Sequence, residues 1–138
     1  GMPFTFSYGS PQPAGGMSTS ASDYAGFLRA LLRGDLRLGS HLGEHAVCAQ
    51  PERCPQALHS PIPADRQWQY ALGHWVESDP ATGDGAFSSP GAFGFYPWID
   101  AGRRYYGILA RHKRGKQSAF ASVECGRRIR QAFLQAGS

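Results

Sequence analysis

The fold class is decided by residues 92–112, AFGFYPWIDAGRRYYGILARH. This stretch contains two aromatic and aliphatic runs, residues 92–99 and 104–112, joined by Asp100-Ala-Gly-Arg103. Two such runs separated by a short link with a glycine predict an antiparallel hairpin. Pro97 lies inside the first run and has no N–H to donate, so we expect an edge position or a bulge at that point.

A helix is predicted on either side of this hairpin in the sequence. Ser20 and Asp23 form a capping pair before the first helix, and Gly34 ends it. Its apolar residues fall on one face, namely Tyr24, Phe27, Leu28, Leu31 and Leu32. The second helix covers residues 117–135, with the basic residues largely off an apolar stripe that we expect to be buried. That stripe consists of Ala121, Cys125, Ile129, Ala132, Phe133 and Ala136.

The intervening residues predict a shorter helix at 41–49, an irregular segment at 50–67, a strand at 69–77 and a loop at 78–90. Taken together, the elements indicate an α+β fold in which helices flank an antiparallel sheet. We expect residues 1–12 to be an extended lead-in, with Gly1 as a tag remnant, and residues 13–138 to form a single domain.

The charge pattern argues against a nucleic-acid partner, and the length of the apolar runs argues against a membrane span. The net charge is +4 and the pI is about 9.2, but no aromatic–basic RNA signature or zinc-finger spacing accompanies the basic residues, which cluster late in the chain. We therefore expect a solvated basic face and no nucleic-acid partner. No apolar run approaches the roughly 18 residues of a membrane helix, so no membrane span is expected.

The cysteines allow two interpretations. Cys48 and Cys54 flank a loop that contains a proline, and an oxidised pair is the first interpretation. A disulfide predicts a periplasmic or secreted parent protein. Alternatively, Cys48 and Cys54 could bind a metal together with His41 and His45, although this spacing matches no common zinc signature. Cys125 is interpreted as a buried thiol.

Three segments in order resemble the C-terminal part of the serine β-lactamase, penicillin-binding protein and related esterase superfamily, and the likeness is to class C members. They are residues 13–28, PAGGMSTSASDYAGFL; residues 70–76, YALGHWV; and residues 89–100, SPGAFGFYPWID. The final helix also fits, so the resemblance covers most of residues 13–135. It implies a β-lactamase/transpeptidase-like fold, of which this chain has the C-terminal portion only.

The resemblance also implies a site. Ser89, Pro90 and Gly91 take the places of the third catalytic motif, and the Ala92 N–H takes that of an oxyanion-hole donor. Such a donor is commonly worth about 3–4 kcal/mol in acyl transfer. Ser88 and Phe93 are placed beside the substrate, which is expected to be a small ester or amide. No cofactor and no resident metal are predicted.

The sequence departs from the family at the nucleophile. A Ser-x-x-Lys motif is absent, because the residues three positions before the two lysines are Ala110 and Lys113. The chain also contains no Asn, and Ser89 carries no positive charge for a substrate carboxylate. We therefore expect the chain to be inactive alone. It is either a portion of a longer hydrolase or a remnant without chemistry, and we expect it to self-associate or to retain the missing N-terminal segment.

Two other functions remain open from the sequence. A non-catalytic binding or scaffold domain would use an aromatic surface, although strand alternation predicts that half of these side chains are core. That surface consists of Phe93, Phe95, Tyr96 and Trp98. A self-contained Ser–His enzyme would have to use His59, Ser60 or His74, or the serines at 88 and 89.

Overall fold

The computed structural model describes residue 9 and residues 17–102, 104–113 and 116–136. The predicted lead-in therefore lies outside the described residues, apart from Gly9. In chain order the elements are helix α1 (Ala21–Arg33), a short 3₁₀ helix (Arg37–His41), strands β1 (Val47–Cys48), β2 (Gln69–Ala71), β3 (His74–Val76), β4 (Phe87–Ser88), β5 (Tyr96–Asp100) and β6 (Tyr105–Leu109), and helix α2 (Lys116–Ala136).

The six strands form one antiparallel sheet in the order β1-β2-β3-β4-β5-β6. Strands that are neighbours in the sequence are therefore neighbours in the sheet. The predicted α+β class and the antiparallel sheet are confirmed. Within the described residues, β1 and β6 are the two edges of this sheet.

The predicted hairpin is confirmed, with shorter strands than expected. β5 and β6 pair over five positions, from Tyr96 opposite Leu109 to Asp100 opposite Tyr105. The residues before Tyr96 form a tight turn, in which the Gly91 N–H donates to the Phe95 carbonyl at 2.8 Å. Gly94 has a φ of +90° in this turn, a conformation that a glycine adopts without strain.

Pro97 lies in an interior strand that pairs without an extra residue, so the predicted edge position or bulge is wrong. The Pro97 carbonyl accepts a hydrogen bond from the Ser89 N–H at 3.3 Å, just past the end of β4. In an antiparallel pair the N and O of one residue point to the same neighbour, so the missing N–H also faces this point. The proline is tolerated because the β4–β5 ladder ends there.

The predicted helix at residues 41–49 is wrong. Gly43 and His45 have φ values of +77° and +53°, which are incompatible with a right-handed helix. Val47 and Cys48 instead form β1 and pair with Tyr70 and Gln69 of β2.

The single strand predicted at residues 69–77 is a small hairpin. β2 and β3 pair with Ala71 opposite His74, and the turn between them contains Gly73 with a φ of +78°. The predicted loop that follows also contains β4, which pairs with both β3 and β5.

Helix α1 follows its sequence pattern. The Ser20 hydroxyl accepts a hydrogen bond from the Asp23 N–H, and Gly34 ends the helix in the left-handed conformation. Leu28 and Leu31 are buried against Ile99 of β5. The predicted caps are thus confirmed, and so is the predicted apolar face except at Phe27, which is 42% exposed.

Helix α2 does not follow its sequence pattern. Every residue of the stripe that was predicted to be buried is exposed, with Ile129 at 47% and Phe133 at 60% exposure. Cys125 is an exposed thiol and not a buried one. The buried face instead includes Ser122, Val123 and two arginines described below. Among the described residues no helix, including α2, is long and apolar enough to cross a membrane.

The two helices pack on opposite faces of the sheet. α1 covers the side that carries Ile99 and Ile108, whereas α2 covers the side that carries Tyr96 and Trp98. Alternate residues of a strand point to opposite faces, so each strand supplies side chains to both cores. We call the two sides the α1 face and the α2 face.

Candidate functional site

Ser88 and Ser89 point to opposite faces of the sheet. Ser88 pairs with Trp75 and Trp98, and directly opposed residues share a face, so its hydroxyl lies on the α2 face. That hydroxyl is buried and has no hydrogen-bond partner among the described residues. Ser89 is exposed and lies just past the end of β4. Both serines are among the residues that line the pocket described below, although the Ser88 hydroxyl itself lies on the α2 face.

Gly91, Ala92 and Phe93 lie in the turn that leads into β5. Ala92 is an exposed residue, and its N–H donates no backbone hydrogen bond among the described residues. Phe93 is also exposed, and its ring lies 5.6 Å from that of His112. The turn is held by Lys113, whose N–H donates to the Phe93 carbonyl at 2.8 Å.

The back of this turn packs against α2. A side chain at Gly94 would meet the Ser118 and Ser122 hydroxyls, so only glycine fits between turn and helix. The position of the Ala92 amide is therefore fixed by the turn, by its contact with α2 and by the hydrogen bond at Lys113.

An apolar pocket of about 310 Å³ opens on the α1 face. Ser89 is one of its lining residues, together with Pro97 on the neighbouring strand. The walls come from α1, the 3₁₀ helix and the β2–β3 turn. The principal apolar contributors are Tyr24, Leu28, Leu31, Leu42, Phe87 and Ile99.

Tyr24 is a tyrosine that lines this pocket. Its ring contacts Phe27 and Phe95 edge-on, with centroids 5.7 and 5.3 Å away. Burial raises the pKa of Tyr24, so its hydroxyl stays protonated and uncharged near neutral pH.

His74 lines the pocket but has no free nitrogen. Its Nε2 accepts a hydrogen bond from the Gly43 N–H at 2.9 Å, and its Nδ1 lies 3.1 Å from the Leu72 carbonyl. This arrangement fits the neutral ring with the proton on Nδ1. His74 therefore positions the loop at Gly43 and is not available as a general base. His41, also at the pocket, pairs with Glu44 at 2.8 Å.

The remaining Ser–His candidates do not come together at this pocket. His59 and Ser60 do not line it, and the Ser60 hydroxyl accepts a hydrogen bond from the Ile62 N–H at 3.2 Å as a turn contact.

The aromatic surface proposed for a binding domain is divided between the core and the surface. Tyr96 and Trp98 are core residues, as alternation predicts for half of the set, so Phe93 is its most exposed member.

Cys48 and Cys54 are joined in a disulfide, with their Cα atoms 6.1 Å apart. Neither sulfur is then available as the ligand that the alternative metal site requires. Among the described residues no three His, Cys, Asp or Glu side chains are grouped so that they could hold a metal ion.

A buried ion-pair network lies on the α2 face. Arg127 donates to Glu77 at 3.0 Å and to Asp79 at 2.6 Å. Arg130 donates to Glu77 at 2.9 Å and to Asp84 at 2.8 Å. Both arginines are buried, so the predicted solvated basic face is wrong for them.

Neutral donors complete this network. The Tyr96 hydroxyl donates to Glu77 at 2.6 Å, and the Trp68 indole N–H donates to Asp79 at 2.7 Å. Arg130 also contacts the Tyr96 hydroxyl. A buried charge is stable only where it is paired and hydrogen-bonded, and these contacts meet that condition.

The network shifts the pKa of its members. Burial opposes ionisation of Asp79, but hydrogen bonds from Arg127, the Gln67 N–H and Trp68 outweigh it and lower the pKa of this carboxyl. Burial, together with the negative charge of Glu77, raises the pKa of Tyr96, so the phenol remains a donor. The sequence holds a signal for the two carboxylates of the network. Glu77 and Asp79 continue the alternation of β3, in which every second residue points to the same face.

Comparison of the chain with protein-family models, with curated proteins and with solved structures finds no match. The functional argument therefore depends on the geometry of the site. In this geometry Ser89 lines the apolar pocket, and Ala92, three residues later on the same β4–β5 connection, lies outside the lining of that pocket.

Proposed function

We propose that this chain is the C-terminal portion of a serine β-lactamase-like hydrolase of the esterase or peptidase type. In this proposal Ser89 lines the substrate pocket, and the Ala92 N–H, after Gly91, is a donor of the oxyanion hole. A separate segment of the complete enzyme supplies the nucleophile and its base. The parent protein is periplasmic or secreted, in keeping with the disulfide.

The observation that carries the proposal is the position of Ser89 and Ala92. Ser89 lines an apolar pocket, and three residues later an N–H that donates no backbone hydrogen bond among the described residues is held in a braced turn. An oxyanion hole needs such a preorganised donor, because reorganising it during the reaction would cost the stabilisation it provides.

Among the described residues no strand pairs with the outer edge of β6, which supports the need for a further segment. Residues of β6 alternate in direction, and Tyr106 and Ile108 direct their N–H and C=O groups away from β5. Beside this edge, Phe133 of α2 contacts Tyr105 and remains largely exposed, one turn from exposed Ile129. A strand and an apolar element from elsewhere would cover both features, and a second copy of the chain is the other candidate.

Intact-mass spectrometry with a fluorophosphonate probe tests the chemistry. The 138-residue chain should take up no probe, whereas the longer product of the same reading frame should take up one equivalent on a serine outside this chain. Ser89→Ala should leave that labelling site unchanged. Labelling of Ser88 or Ser89 in the isolated chain, or no labelling of the longer product, would contradict the proposal.

Light scattering coupled to size exclusion tests the open edge. The isolated chain should self-associate as its concentration rises, because an uncovered strand edge and apolar flank favour pairing. Phe133→Lys and Ile129→Lys together should weaken this association, whereas Leu58→Lys, at a distant exposed position, should not. A compact monomer at high concentration would show that this surface needs no cover.

A further inference from the structure

The pocket on the α1 face has the dimensions of a small-molecule site. Its volume of about 310 Å³ lies at the lower end of the range for ligand pockets. It is bounded by three elements and the sheet, so it is a cavity with walls and not a flat apolar surface. A volume of this size accommodates a small organic group.

The lining of this pocket carries no formal charge from Asp, Glu, Lys or Arg. Of its two histidines, His74 has both ring nitrogens in hydrogen bonds with the chain, and His41 has Nδ1 paired with Glu44. An ionised ligand group would lose its hydration here without gaining an opposite charge from Asp, Glu, Lys or Arg. The pocket therefore favours an uncharged ligand.

The polar groups that remain suit a carbonyl compound. Ser89 is exposed at the pocket and can donate a hydrogen bond through its hydroxyl. Phe27, Phe87 and Tyr24 present aromatic rings to the interior, which favours an aryl or compact acyl body over a long polar one.

We propose that this pocket binds the apolar acyl or aryl part of a neutral ester or amide and discriminates against the same body when it carries a charge. The inference rests on the proposed function, because the same pocket holds the substrate in both. It can nevertheless be tested by binding alone, without any catalysis.

Isothermal titration of the 138-residue chain with three matched ligands tests the inference. Phenylbutanamide is neutral, phenylbutyrate is an anion and phenylbutylammonium is a cation, and all three share one aryl body. The amide should bind about tenfold or more tightly than either ion, because only the ions lose charge hydration. Equal or tighter binding of an ion would overturn the inference, as would no binding of the amide.

Variants at the rim locate the binding. Leu38 and Leu72 line the pocket and are each 62% exposed, so Asp at either position should preserve the fold. Leu38→Asp and Leu72→Asp should each weaken amide binding about tenfold, since they place a charge at the mouth. Leu58→Asp, at 94% exposure and outside the lining, is the matched control and should bind as the parent chain does. Equal affinity of all three variants would place the ligand elsewhere.

The two proposals can fail separately. If the amide binds at the rim-sensitive site and the longer product takes up no fluorophosphonate, the pocket stands and the hydrolase proposal falls. If the longer product is labelled and the amide does not bind, the hydrolase proposal stands and the ligand class is wrong.

Discussion

The two α-helices have similar sequence patterns and opposite surroundings. Both carry apolar residues at helical spacing, yet Leu28 and Leu31 of α1 are buried, whereas Ile129 and Phe133 of α2 are exposed. α1 packs against the sheet through apolar side chains. α2 packs through two arginines that meet three carboxylates, and its buried Val123 and Gly126 also lie against the sheet.

The difference shows what a helical apolar pattern can and cannot decide. The pattern identifies the apolar face of a helix, but the buried face also depends on what the opposite surface offers. On the α1 face the sheet offers aliphatic and aromatic side chains. On the α2 face it offers Glu77 and Asp79, which make an arginine face the better partner.

Arg130→Ala should cause the largest loss of stability. It leaves Glu77 buried with one fewer cation and removes both hydrogen bonds to Asp84, so we expect a loss of about 3–5 kcal/mol in the free energy of unfolding. Urea denaturation measures this. Arg128→Ala, at an exposed position two residues away, should change the free energy by less than about 0.5 kcal/mol. Equal losses would mean that the network does not hold α2.

Leu28→Ala and Ile129→Ala compare equivalent positions of the two apolar patterns. Leu28 is buried, so its truncation should cost about 2–5 kcal/mol, whereas truncation of the half-exposed Ile129 should cost less than about 1 kcal/mol. Thermal or urea unfolding of both variants measures the difference. A cost at Ile129 that matches Leu28 would place the α2 stripe in a core, through self-association or otherwise.

Acid should lower the free energy of unfolding through the ion-pair network on the α2 face. The pKa of Asp79 is lower in the folded chain than the value near 3.9 expected when unfolded, so its contribution is present above that value and is lost as pH falls through the folded pKa. A single proton changes the free energy by at most about 1.4 kcal/mol per pH unit. Urea unfolding below about pH 4 should show a shallower pH slope for Asp79→Asn than for the parent chain. Parallel slopes would contradict the assignment.

Glycine-to-alanine changes in the two helices should have the smallest effects on stability, and they compare how closely each helix packs. At Gly126 a Cβ would overlap the Tyr96 ring, and this crowding should outweigh the gain of about 1 kcal/mol in helix propensity. At Gly26 of α1 the nearest group is the flexible end of Arg29 at 3.9 Å, so Gly26→Ala should stabilise by about 0.5–1 kcal/mol. Thermal unfolding reports both signs, and stabilisation at both positions would mean that α2 is not closely packed on the sheet.

Local signals predicted the parts of the fold that local interactions control. The Ser20 cap, the Gly34 end and the central hairpin were correctly predicted because each depends on residues close together in the sequence. The helix predicted at residues 41–49 failed because spacing alone does not report the positive φ of Gly43 and His45. Pro97 was misplaced because the length of β4, a neighbouring strand, decides whether its missing N–H matters.

The candidate site was predicted only as a set of residues. Adjacent positions in a strand must point to opposite faces, but the sequence did not show that β4 includes Ser88, so it could not place the Ser88 hydroxyl on the α2 face. The pocket was also beyond the sequence, since its walls come from α1, the 3₁₀ helix and two turns that are distant in the chain. The period of two after β3 places Glu77 and Asp79 on one face, but it does not identify Arg127 and Arg130 as their partners, because these lie 48–53 positions away.

The order in which the chain is synthesised gives the network a further consequence. Glu77 and Asp79 leave the ribosome about 50 residues before Arg127 and Arg130, the arginines that pair with them in the described part of the chain. Until the last turns of α2 emerge, these carboxylates remain in water and repel one another across the unfinished α2 face. The sheet can therefore close on that side only after residue 130 has emerged, and a ribosome that stalls before residue 127 would hold a nascent chain that cannot complete its core.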